Sequence, residues 1–182
     1  MSTERHLVLS ALGPDRPGLV AEVTHYVTER GGNIEDSRMA VLGGEFGVMM
    51  LISGTPDEIA RIARDHGELH AATGLGVVTR DTKSPEDHRR AQSIPVLVRC
   101  DAIDNPGIVR AVARALRDLG LNIVSLETTT YEAPVTGSPL FRLEARCDAP
   151  RGVTLARVRA AMSEVAERES IDIEVSAPGA SR

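Results

Sequence analysis

Apolar positions along the chain switch between two spacings, and the same switch occurs twice. His6 to Leu12 (HLVLSAL) is a short apolar run bounded by Gly13-Pro14, which predicts a strand. Leu19, Val20, Val23 and Val27 then recur at helical spacing until Gly31-Gly32. Ile34–Leu42 and Phe46–Ser53 read as strands joined by a tight Gly43-Gly44 hairpin. Thr55 with Glu58 has capping-box spacing and opens a second helix carrying Ile59, Ile62 and Ala63, which is expected to end near Gly67. Leu75–Arg80 closes the set as a fourth strand. The predicted order is β-α-β-β-α-β.

The second half repeats it. Pro95–Cys100 is the first strand, and Ile108, Val112, Ala115, Leu116 and Leu119 form the stripe of a helix. Ile123–Tyr131 and Leu140–Cys147 are strands separated by a longer loop, Glu132 to Pro139. In the latter, Phe141, Leu143, Ala145 and Cys147 alternate with Arg142, Glu144 and Arg146, as a sheet with one covered face requires. Leu155, Val158, Met162 and Val165 line the last helix, and Ile171–Val175 is the last strand. The two halves hold register without a gap. Asp15-Arg16-Pro17-Gly18-Leu19-Val20 returns 89 residues later as Asp104-Asn105-Pro106-Gly107-Ile108-Val109, and one offset also pairs Gly31 with Gly120, Asn33 with Asn122 and Ile34 with Ile123. Two copies of one structural unit follow.

A β-α-β-β-α-β unit is the ferredoxin-like split β-α-β fold, of the α+β class. Right-handed crossovers predict an antiparallel sheet in strand order 4-1-3-2 with both helices on one face. The expected domains are 1–80 and 94–177, with a charged linker over 81–93 that holds Pro85 and a tail at 178–182. Domains of this size bury modest cores and are expected to lean on each other. One asymmetry qualifies the symmetry. The strand Phe46–Ile52 is apolar on both sides where its counterpart is polar on one, so its outer side is expected to be covered by the other unit or by a second chain.

Composition narrows the function. The net charge is -5 and aromatic residues make up 2% with no Trp, so neither a basic face for duplex nucleic acid nor a base-stacking platform is expected. No stretch approaches the roughly 20 apolar residues of a spanning helix, and the reading is a soluble cytoplasmic protein without membrane partners. Cys100 and Cys147 are read as two buried thiols, at opposite ends of neighbouring strands, instead of a disulfide. None of the five histidines stands in a nucleophile–base setting. His66 and His70 are four apart, but one pair without a third ligand predicts no metal. Gly31-Gly32 follows a helix instead of preceding one, so no phosphate loop and no cofactor are expected. The chain reads as a non-enzyme.

The repeated Asp-x-Pro-Gly turns remain. Asp15 stands where a helix cap would sit, Pro17 suits a first helical turn, and Gly18 relieves crowding. Structure alone therefore explains the residues. The same turn also offers helix N-terminal N–H groups to a carboxylate and the Asp side chain to an ammonium group, which together suit a free α-amino acid. Asn33 and Asn122 are expected close to the turns, as amide contacts.

The strand, the D-x-P-G-Φ-Φ turn, the helix and the G-x-N-Φ return resemble the ACT domain, the amino-acid-sensing module of many metabolic enzymes. Two such units resemble the glycine cleavage system transcriptional repressor family over nearly the whole chain, most closely in GPDRPGLVAEVTHYVTERGGNIEDSRMAVLGGEFGVMMLISG. The first unit is also similar to the ACT segment of formyltetrahydrofolate deformylase, but the hydrolase residues are not in this sequence, so that activity is not carried over. The resemblance implies a regulator that binds a small amino acid, glycine first, and acts through a protein partner such as a DNA-binding activator without touching DNA. It leaves homo-oligomerisation open. It implies ligand contacts at Asp15, Arg16, Gly18, Leu19, Asn33 and Ile34, and at Asp104, Asn105, Gly107, Ile108, Asn122 and Ile123. Arg16 against Asn105, and the longer second hairpin, put equivalence of the two sites in question. The alternatives are a detached regulatory subunit of an amino-acid enzyme, or an enzyme of ferredoxin-like fold whose site is not recognised.

Overall fold

In a computed structural model, which describes residues 4–88, 93–132 and 138–177, the chain divides into two units, residues 1–89 and 90–182. Parts of the expected linker and second hairpin loop, and the whole tail, lie outside the described residues.

In the first unit β1 (Arg5–Pro14) leads to α1 (Leu19–Glu29), and β2 (Asn33–Leu42) pairs as a hairpin with β3 (Glu45–Gly54). Then come α2 (Pro56–Arg64), α3 (His66–Thr73) and β4 (Gly76–Thr82), followed by a short α4 (Pro85–His88) within the expected linker. The second unit runs β5 (Ile94–Ile103), α5 (Ile108–Asp118), β6 (Asn122–Glu132), β7 (Pro139–Ala149), α6 (Leu155–Glu169) and β8 (Asp172–Ser176). The sheets are ordered β2-β3-β1-β4 and β6-β7-β5-β8, and every recorded pairing is antiparallel. This is the ferredoxin-like α+β fold, twice. Both edge pairings carry a bulge at one site of the repeat, between Ile34 and Asp36 and between Ile123 and Ser125.

Each core lies between one sheet face and its helices. Leu7, Leu9, Val48, Met50 and Ile52 meet Leu19, Val23 and Val27 of α1, and Ile59 and Ile62 of α2. Val96, Val98, Cys100, Leu143, Ala145 and Cys147 meet Val112 and Leu116 of α5, and Val158, Met162 and Val165 of α6. Tyr26 fills the gap between helices, and its hydroxyl donates to the Ile62 carbonyl at 2.7 Å, satisfying the one polar atom a buried Tyr brings. Cys100 and Cys147 are free and buried, four residues out of register on the β5–β7 pair. Desolvation, helped by Asp101 and Asp172, pushes the Cys100 thiol up to about 11; desolvation, helped by Asp148, does the same for Cys147.

Two expectations need correction. β1 does not stop at Leu12: Gly13 and Pro14 pair with Phe46 and Glu45, since Pro at a strand end forfeits no interior ladder bond. The second helix of the first unit is two helices, broken at Asp65 (φ -92°, ψ 11°), with α3 running past Gly67 to Thr73. His66 and His70 therefore lie on that added helix, where each ring Nδ1 meets a backbone carbonyl, of Ala63 at 2.7 Å and Leu75 at 2.8 Å. The capping box at its predecessor is present: the Thr55 N–H donates to Glu58 Oε2 at 2.7 Å, and the Glu58 N–H to Thr55 Oγ1 at 3.4 Å. The Thr55 N–H, helped by the Thr55 side chain, holds the Glu58 carboxyl below the usual carboxylate range.

Candidate functional site

The two Asp-x-Pro-Gly segments connect β1 to α1 and β5 to α5. In both, the residue that opens the helix is the glycine. Gly18 (φ 95°, ψ -14°) and Gly107 (φ 105°, ψ -8°) lie in the left-handed region, which glycine enters without strain. The helices begin at Leu19 and Ile108, and the first helical bonds run from the Glu22 N–H to the Gly18 carbonyl at 3.0 Å and from the Ala111 N–H to the Gly107 carbonyl at 2.9 Å.

The expected caps are therefore absent. Neither helix has a side-chain cap, and Pro17 precedes the opening residue instead of starting the helix. Asp15 is tied down through its backbone instead, its N–H donating to the Gly44 carbonyl at 2.9 Å; Asp104 does the same to Pro139 at 3.1 Å. The backbone is fixed to the hairpin while the carboxylate stays out of the helix. Among the described residues, neither the Asp15 nor the Asp104 carboxylate has a hydrogen-bond or ion-pair partner. First-turn N–H groups have no intrahelical acceptor, and here no side chain replaces one. Each turn thus carries an unpaired carboxylate three residues ahead of the glycine that opens an uncapped helix, whose N-terminus is the positive end of its dipole. An exposed apolar side chain stands next to each, Val20 and Val109.

Arg16 does not belong to that free set. Its guanidinium is bidentate on Glu22, at 2.6 and 2.7 Å, and also donates to the Ala72 carbonyl at 3.4 Å. The hydrogen bond holds the Glu22 carboxyl below its ordinary range. The second unit has lost both partners together, with Asn105 and Ala111 at the matching positions. The difference between the repeats at this place is thus a whole ion pair present or absent.

Asn33, Ile34, Asn122 and Ile123 are not brought to the turns. Asn33 pairs with Ser53, which pairs with His6 at the start of β1, whereas Asp15 follows the end of that strand. Asn122 shares a row with Asp148 and Pro95, again at the opposite end from Asp104. At about 3.3 Å per residue, roughly 30 Å of strand separates the two groups within one unit. A helix antiparallel to the first strand returns the chain to the starting edge of the sheet, which is why the expected closeness fails. Among the described residues no group of three His, Cys, Asp or Glu side chains is placed to hold a metal ion, and no helix is long and apolar enough to cross a membrane.

Two split β-α-β units whose helices open on a glycine after an Asp-x-Pro turn define an ACT-type protein, and the ACT domain family matches residues 5–79. The chain is 30% identical over 161 residues to the glycine cleavage system transcriptional repressor of Escherichia coli (strain K12), covering 88% of this chain and 84% of that one. It belongs to that family. A crystal structure of an unknown protein from Galdieria sulphuraria superimposes with a TM-score of 0.82 at 31% identity, over 96% of this chain and 99% of that chain. A UPF0237 protein of Methanococcus maripaludis is 34% identical over 67 residues, 37% of this chain and 69% of its own length.

Proposed function

We propose that the protein is a non-enzymatic regulator that binds a small amino acid, glycine first, at its Asp-x-Pro-Gly turns and controls transcription through a protein partner. The observation that carries the reading is an unpaired Asp15 carboxylate three residues ahead of the glycine at the uncapped start of α1, repeated at Asp104 and α5. A zwitterion needs both: the N–H groups of Gly18, Leu19 and their neighbours take its carboxylate, and Asp15 takes its ammonium. Gly107 and Ile108 with Asp104 offer the same in the second unit. Arg16 holds the first turn through Glu22, and Asn105 leaves the second turn without that brace. The name of the Escherichia coli relative supplies glycine as first candidate and transcription as the output. An acidic chain that acts on DNA through a partner needs no basic face of its own.

A thermal-shift panel of the twenty amino acids tests the reading. A ligand at a hundred times its Kd stabilises the native state by about 2.7 kcal/mol, so a true ligand raises Tm by several degrees. Glycine is expected to do so at millimolar concentration. If none of the twenty moves Tm, the amino-acid reading is wrong.

A further inference from the structure

The two sheets differ on the face turned away from their helices. In the second unit that face carries charge ladders: Arg99 meets Glu144 at 3.1 Å, Arg142 meets Asp101 at 2.7 Å, and Arg146 meets Glu144 at 3.2 Å. It is a face finished for water. The first unit lacks such ladders across its two central strands. Leu12 is 62%, Met49 54% and Val78 67% exposed, and Val8 and Leu51 lie between them on the same face.

The register gives this face an internal logic. Three successive rows across the order β4-β1-β3-β2 read Arg80–Val8–Leu51–Asp36, Val78–Ser10–Met49–Arg38 and Gly76–Leu12–Gly47–Ala40. In two of these rows a large residue on one central strand stands beside a small one on the other, Leu12 beside Gly47 and Met49 beside Ser10, while Val8 and Leu51 are both large. A two-fold axis parallel to the strands, midway between β1 and β3, lays each row over its own reverse. Leu12 then faces Gly47 of a second copy and Met49 faces Ser10, large into small. The same operation sets Arg80, at the β4 edge, over Asp36, at the β2 edge. Arg80 has no hydrogen-bond or ion-pair partner among the described residues, and Asp36 bonds only locally, to Arg38 and the Ser37 N–H. Face-to-face sheets align within about 30°, so residues near the axis keep these partners.

We infer that the outer face of the first sheet is an isologous interface for a second copy of this chain, with Leu12 and Met49 as its apolar anchors and Arg80–Asp36 pairs at its edges. Four strands about 4.8 Å apart and about ten residues long offer a footprint of roughly 600 Å² before side-chain corrugation, the order of the ~800 Å² per partner of a stable interface. An isologous patch must be self-complementary, and this face is so at the Leu12–Gly47 and Met49–Ser10 positions in shape and at Arg80 and Asp36 in charge.

Sedimentation velocity on the full chain tests it. The wild type, at 19.5 kDa per chain, is expected to sediment as a dimer at roughly 10–100 μM, where a Kd on the order of 1 μM leaves most chains paired. Met49→Lys is expected to raise the dimer Kd at least about tenfold with unchanged circular dichroism, since an exposed side chain leaves the core intact. Arg80→Glu and Asp36→Lys should each weaken self-association, and mixing the two should restore dimers, because only the mixed pair keeps opposite charges across the axis. A monomeric wild type, a Met49→Lys dimer of wild-type affinity, or a mixture no tighter than its parts would each overturn the proposal.

Discussion

Replacing Asp15 and replacing Gly18 by alanine should have opposite consequences from those the local sequence suggests. An Asp ahead of a helix is ordinarily a cap, whose loss costs about 0.5–2 kcal/mol. Here the Asp15 side chain bonds no helix N–H, and its strand-extending bond to Gly44 uses the backbone N–H, which alanine retains. Asp15→Ala should therefore behave as an ordinary surface change, within about 0.5 kcal/mol. Gly18 sits at φ 95°, where a Cβ has room, the nearest atoms being Glu22 Oε1 at 3.4 Å and Arg16 Nη1 at 4.0 Å. The penalty of Gly18→Ala is thus conformational and amounts to about 1–2 kcal/mol. For a unit of this size each kilocalorie moves Tm by about 4–8 °C. Gly107→Ala and Asp104→Ala should give the same contrast. Urea melts followed by far-UV circular dichroism measure it, provided the slope with denaturant stays constant across the variants. If Asp15→Ala loses about 1 kcal/mol or more while Gly18→Ala is neutral, Asp15 caps the helix and its availability to a ligand is lost.

Three further outcomes are expected. Gly32→Ala should destabilise the first unit by roughly 1–3 kcal/mol through overpacking, because a Cβ there would lie 2.6 Å from Ile62 and 2.9 Å from both Ile52 and Val27; a stable variant in a urea melt would contradict the packing. Cys100 and Cys147 should resist a thiol reagent in the native state at pH 8 and react on unfolding. Their pKa is raised in the fold, so their contribution to stability is complete below the unfolded value near 9 and falls as pH climbs towards about 11; stability that rises over that window would reverse the sign. A gel shift with purified protein at physiological salt should show no specific complex with duplex DNA, given the net charge of -5.

Much of the architecture was legible because both copies obey one hydrophobic rhythm. The offset of 89 residues aligns turns, helix stripes and hairpins, and the alternation in Leu140–Cys147 predicts the inner face of β7. What stayed hidden depended on backbone geometry and long-range placement. An Asp before an apolar helix has the signature of a cap, and only the left-handed φ of Gly18 shows that the glycine opens the helix instead. Asn33 looked close to Asp15 because sequence distance is short, but α1 carries the chain back along the strand. Gly67 has the signature of a helix end, but the break falls two residues earlier at Asp65 and Gly67 lies inside α3, so the sequence predicts one helix where two exist. The Arg16–Glu22 pair spans a turn, and its signal was the loss of both members in the second copy, as Asn105 and Ala111.

Calorimetric titration of glycine into the wild type, Asp15→Asn, Asp104→Asn and the double variant tests the central claim most directly. Asn keeps the shape and removes the charge that an ammonium group meets, weakening a charge-assisted bond of roughly 1.5–3 kcal/mol. Affinity at each altered turn should fall on the order of tenfold or more, and the double variant should lose measurable binding while its melting curve stays that of the wild type. Glycine bound by the double variant as tightly as by the wild type would contradict the account and move the site away from the Asp-x-Pro-Gly turns.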